Sequence, residues 1–95
     1  EVNTLAHING SGVAMRAFGD AGGVVVSTAS MAGLLPLGAP PVYSASKAAV
    51  VHFTRAMGLT LGEDSPTRFY CLCPSYTATY DAPHVYRHIY HTMAR

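Results

Sequence analysis

Charge is what this sequence most lacks. Only 12% of its 95 residues are charged, against roughly 25% in an ordinary soluble domain. A free-standing domain of this size has a large surface for its volume and needs polar residues to cover it. So charge-poor a chain reads as a slice of a larger domain whose apolar faces meet other elements. It also opens on Glu1, without an initiator Met, and runs straight into patterned sequence; a fragment is the expectation. The six Lys and Arg residues are scattered singly and the net charge is +1. That leaves no basic stripe for nucleic acid. No apolar run approaches the roughly 18 residues of a membrane-spanning helix. Neither nucleic acid nor a membrane is therefore expected as a partner. The two cysteines, Cys71 and Cys73, lie too close along an extended backbone for an easy disulfide. Reduced thiols and a cytoplasmic setting are the expectation.

What is present is a regular alternation of helix and strand patterns. Val2 to Phe18 carries apolar residues at Val2, Leu5, Ile8, Met15 and Phe18, with Gly12 on the same side. Those spacings predict a helix with one buried face. Val24-Val-Val-Ser-Thr follows a glycine break and predicts a short strand covered on both faces, as in parallel sheets. Ser30 to Val42, rich in Gly and Pro, predicts a loop. Ala45 to Leu61 predicts a second helix, with Val50, Phe53, Met57 and Leu61 on one stripe. Its low charge predicts burial on more than one side. After a turn at residues 62–67, Arg68 to Cys73 predicts a second strand, stopped by Pro74. Strand, helix, strand makes a βαβ unit with parallel strands. Beyond Thr79 the chain is rich in Tyr and His, with helix-like spacing at Val85, Ile89 and Met93.

In open parallel sheets, ligands sit beyond the carboxyl ends of the strands. The loops opening at Ser30 and at Pro74 lie there. Between them Tyr43 and Lys47 stand four residues apart, and i and i+4 share a helix face. An ammonium so placed stabilises a phenolate and suits a tyrosine for general acid–base work. Alone, a Tyr-x-x-x-Lys match is weak and could be chance packing.

Its neighbours are more specific. Ser30 lies 13 residues before Tyr43, within Ser27-Thr-Ala-Ser-Met-Ala-Gly33, and Asn3 lies 27 residues before Ser30. Pro74-Ser-Tyr-Thr-Ala-Thr79 follows the second strand. This ordered set resembles the short-chain dehydrogenase/reductase family up to Thr79. The stretch from Leu34 to Arg55 is similar to its 15-hydroxyprostaglandin dehydrogenase branch. The resemblance implies an α/β fold, a Rossmann-like doubly wound parallel sheet, with only the catalytic βαβ portion inside residues 1–95. It implies an NAD- or NADP-dependent oxidoreductase interconverting a secondary alcohol and a ketone. Tyr43 would exchange the proton, Ser30 would hold the substrate oxygen, and Lys47 would bind ribose and tune Tyr43. Asn3 would anchor a water leading to solvent. Tyr43, Lys47, Pro74, Ser75, Thr77 and Thr79 would contact the cofactor. It implies, further, a lid over residues 80–95, an apolar alcohol or ketone substrate, and a homodimer or homotetramer joined through the two helices.

Two features depart from that pattern. The family usually has Pro-Gly where this chain has Pro74-Ser75, and glycine there serves backbone freedom or close approach. The glycine-rich phosphate loop is also missing, since Gly10-Ser-Gly12 has neither a preceding strand nor a third glycine. Read singly, Ser30 could be a strand-end cap and Asn3 a helix cap. A catalytically inactive family member, acting as a binding or regulatory protein, is the rival reading. Cys71, Cys73, His84, His88 and His91 are metal-ligand types, but Cys-x-Cys on an apolar strand without a second Cys pair predicts no metal site.

Overall fold

Alternation along one strand sets the core. In Arg68-Phe-Tyr-Cys-Leu-Cys-Pro74 every second side chain points inward, and Phe69, Cys71 and Cys73 are buried while Tyr70 and Leu72 are half-covered. The computed structural model describes residues 2–36, 38–75 and 89–93, with side chains for residues 4–36 and 38–75. Its elements run α1 (Val2–Phe18), β1 (Val24–Thr28), α2 (Pro41–Leu61), β2 (Arg68–Pro74) and β3 (Ile89–Met93). Short 3₁₀ turns lie at Gly19–Ala21 and Met31–Gly33.

β1 and β2 pair in parallel, from Val24 opposite Arg68 to Thr28 opposite Leu72. Backbone bonds extend the ladder at each end, from Arg68 to Gly23 (3.0 Å) and from Ala29 to Leu72 (2.7 Å). With α2 between them, they form the parallel βαβ unit of a Rossmann-like sheet, as the sequence led us to expect. The core gathers Ala29, Val50, Val51, Cys71 and Cys73, with Met31 and Leu34 packed against it. Phe53 of α2 meets Phe69 of β2 edge to face at 6.4 Å.

Four expectations need correction. First, α2 begins at Pro41, not Ala45. Proline suits the first helical position because its fixed φ is helical and its missing N–H has no partner there anyway. Tyr43 therefore lies in the first turn of the helix, and residues 31–33 form a 3₁₀ turn within the expected loop. Second, β1 is not covered on both faces: Val24 and Val26 are 57% and 55% exposed. β1 is an outer strand in the order β1-β2-β3, and α1 covers it only in part, leaving a cleft lined by His7, Ser11, Val25 and Val26. Third, Leu5 and Ile8 of α1 are exposed. Gly12, Met15 and Phe18 of the expected face are half-buried, beside Ser11, which is buried, and Thr4, which donates to the carbonyl of Ser46 (3.4 Å).

Fourth, Ile89–Met93 is a strand rather than helix, antiparallel to β2 from Ile89 opposite Pro74 to Met93 opposite Tyr70. Ile89, Tyr90 and Thr92 are β-formers, and β2 offers a ladder of backbone groups. Spacing by fours could not weigh that partner. The sheet is thus mixed. The rest of the expected lid, residues 80–88 and 94–95, lies outside the described residues.

Candidate active site

The candidate residues converge because β1 and β2 run parallel and so end at the same edge of the sheet. β1 ends at Thr28, and Ser30 follows at once in an extended conformation (φ −164°, ψ 155°). Its hydroxyl oxygen accepts a hydrogen bond from the Ala32 N–H (3.1 Å) and caps the turn Met31–Gly33. The capping role weighed for Ser30 is thus present, on the 3₁₀ turn that follows β1. Because Oγ is used as an acceptor, the hydroxyl proton is left to donate elsewhere.

Gly33 brings this turn against α2. A Cβ at Gly33 would lie 2.6 Å from the Lys47 carbonyl carbon and 2.7 Å from its oxygen. These are backbone atoms of a long helix and cannot swing aside. The absence of a side chain at Gly33 thus sets how closely the Ser30 turn approaches the helix that carries Tyr43 and Lys47. Sequence reading gave this residue no role; its signal was a glycine closing the small-residue stretch Ser27-Thr-Ala-Ser-Met-Ala-Gly33.

From the first turn of α2, Tyr43 is 40% exposed, and its hydroxyl engages no described residue. Ser46 donates from Oγ to the Tyr43 carbonyl (2.8 Å) and is itself buried, which pins that first turn. One turn on, Lys47 Nζ lies 5.8 Å from the centre of the Tyr43 ring. It donates to the carbonyl of Thr28 at the end of β1 (3.3 Å). An ammonium has three protons to donate, so two remain for other oxygens.

Ser30, Tyr43 and Ser75 share one cavity of about 240 Å³, whose apolar walls include Met31, Ala32 and Ala39. The structure thus brings together Ser30, Tyr43 and Ser75, with Lys47 behind Tyr43. Asn3 lies in the first turn of α1, beside Thr4, whose hydroxyl reaches α2. Pro74 closes β2. Thr77 and Thr79 lie outside the described residues.

A model of the short chain dehydrogenase family matches residues 1–87. The chain belongs to the short-chain dehydrogenase family. Curated relatives agree. The human protein named 15-hydroxyprostaglandin dehydrogenase [NAD(+)] is 32% identical over 84 residues, covering 83% of this chain and 32% of that protein. The proteins of the same name from Rattus norvegicus and Bos taurus are 30% and 31% identical over the same length, again covering 83% of this chain and 32% of the relative. This short-chain dehydrogenase chain therefore spans about a third of the length of the relatives it matches.

A nicotinamide cofactor fits the donor set in part. Lys47 offers a cation with protons to spare beside the Tyr43 phenol, which suits a ribose and the ring next to it. Gly10 and Gly12 lie inside α1, so Gly10-Ser-Gly12 is not a phosphate-binding loop. Among the described residues, no group of three His, Cys, Asp or Glu side chains could hold a metal ion. No described helix is long and apolar enough to cross a membrane.

Proposed function

We propose that this chain carries the catalytic centre of a nicotinamide-dependent oxidoreductase that interconverts a secondary alcohol and its ketone. The observation that carries the reading is the convergence of Ser30 and Tyr43 on one cavity, with Lys47 one helical turn behind Tyr43. NAD is the cofactor in the relatives' own name, and NADP shares the nicotinamide and the adjoining ribose. The bound cofactor accepts hydride from the carbinol carbon or returns it to the ketone.

Everything else falls to this chain's residues. Ser30 donates its free proton to the substrate oxygen and holds it in place. Tyr43 takes the alcohol proton in oxidation and supplies it in reduction. Lys47 spends one proton on the Thr28 carbonyl and keeps two for the ribose hydroxyls, so cofactor and phenol are positioned by a single ammonium. Asn3, at the start of α1, anchors a water between Lys47 and solvent. Pro74, Thr77 and Thr79 contact the cofactor. Met31, Ala32 and Ala39 favour an apolar body on the substrate. Exposed Leu5 and Ile8 of α1 and Leu59 of α2 support a homodimer or homotetramer joined through the helices. Two buried thiols suit the cytoplasm.

The test follows absorbance of the reduced nicotinamide while the holoenzyme containing this chain meets a series of secondary alcohols and ketones. Hydride transfer to or from NAD or NADP is expected. Its absence with both cofactors across the series, in protein that binds cofactor, would overturn the reading.

A further inference from the structure

Among the described residues, three that carry a hydroxyl line the cavity, and the reaction just described uses two of them. Ser30 and Tyr43 share the oxygen that gains or loses a proton. Ser75 is the third. It lies one residue beyond β2, half-buried, on the wall of the same cavity. No described residue takes its hydroxyl in a hydrogen bond. The serine hydroxyl is therefore open to a ligand in this cavity. It comes without backbone strain, since no described non-glycine residue has a positive φ.

A ligand that closes this cavity removes Ser75 from water. If it brings no polar atom to that wall, the hydroxyl is left buried and unpaired, which weakens binding by roughly tenfold or more. If it brings an oxygen, the serine can donate to it or accept from it. Ser75 borders the cavity together with Ser30 and Tyr43, so one ligand can bring its reacting oxygen to those two and a second oxygen to Ser75.

We propose that Ser75 is a specificity-determining residue whose hydroxyl binds a second substrate oxygen on a carbon next to the reacting one. The favoured substrate class is then an α-hydroxyketone, or the vicinal diol formed from it, with hydrocarbon on its far side. This rests on the alcohol–ketone reading above and narrows it.

The experiment compares a ketone with its α-hydroxy analogue of equal carbon number, in the holoenzyme, with wild type, Ser75→Ala and Ser75→Thr. Wild type is expected to favour the hydroxyketone by about tenfold or more in kcat/KM. Ser75→Ala should erase most of that preference, chiefly by raising KM for the hydroxyketone, while cofactor Kd stays put. Ser75→Thr, which keeps a hydroxyl, should retain the preference. An equal ratio in wild type and Ser75→Ala would overturn the proposal and leave the alcohol–ketone reading intact. So would a change confined to cofactor Kd, which would put Ser75 on the cofactor. If wild type reduces neither ketone nor any other, both readings fall together.

Discussion

The two helices make an instructive pair. Both are rich in alanine and valine and almost without charge: α1 carries Arg16 alone, α2 Lys47 and Arg55. Their fates differ. α2 lies against both parallel strands and buries Ser46, Val50, Val51, Thr54 and Gly58. α1 buries Ser11 and leaves Leu5, Ile8 and Val13 exposed. Apolar content says that a helix will be covered; it does not say by what. α2 packs on β1 and β2 and carries Tyr43 and Lys47, whereas α1 meets α2 and the edge of β1. The active-site helix is clamped from three sides: by the core beneath, by Gly33 at Lys47, and by the Lys47–Thr28 bond at the end of β1.

If that contrast is right, substitutions should grade from α2 outward. Tyr43→Phe removes one proton carrier and should lower kcat by ~10²–10⁴-fold, with cofactor Kd little changed. Steady-state rates and fluorescence titration of the reduced cofactor would check both. A tenth of wild-type turnover retained, with chemistry rate-limiting, would break the assignment.

Next comes Gly33→Ala. Its new Cβ must push the turn away from the Lys47 backbone and carry Ser30 with it. A displacement of that kind costs up to ~10²-fold in rate. If the loss runs through Ser30, adding Gly33→Ala to Ser30→Ala should cost little more, as coupled sites are not additive. Additive losses would show that Gly33 only supports the fold.

Stability gives the third comparison. Val50→Ala in the core should cost about 2 kcal/mol by denaturant unfolding. Val13→Ala on α1 should stay within ~0.5 kcal/mol. Similar losses at the two sites would mean that the outer face of α1 is covered in the whole enzyme. The smallest effect on folding, and the one that tests that cover directly, belongs to Leu5→Ser. It should leave unfolding nearly unchanged but lower the association state in sedimentation velocity if subunits meet there.

Much of this was legible beforehand, for reasons that can be named. The spacing of Tyr43 and Lys47 is local, and a helix turns any four-residue step into a shared face. Ser30 was legible because a β-branched run must end in a turn, and parallel strands put such turns where ligands bind. Cys71 and Cys73 alternate with Tyr70 and Leu72, so a strand there puts both thiols on one face, the face that proves buried. What failed depended on contacts distant in sequence. The choice of inner face on α1 was decided by the carbonyl of Ser46, 42 residues away. The strand Ile89–Met93 was decided by the open edge of β2. Gly33 was missed because its meaning lies in a space it leaves empty against Lys47.

The paired thiols of β2 have a practical consequence. Cys71 and Cys73 are sealed from solvent and lie 3.9 Å apart, sulfur to sulfur. No labelling reagent reaches them while the strand is seated between its neighbours, and both become available in the same opening event. They make β2 its own stopwatch. The rate at which the first thiol is modified times the lifting of the strand that ends at the catalytic cavity. Any ligand that settles into that cavity should slow the clock without touching either sulfur.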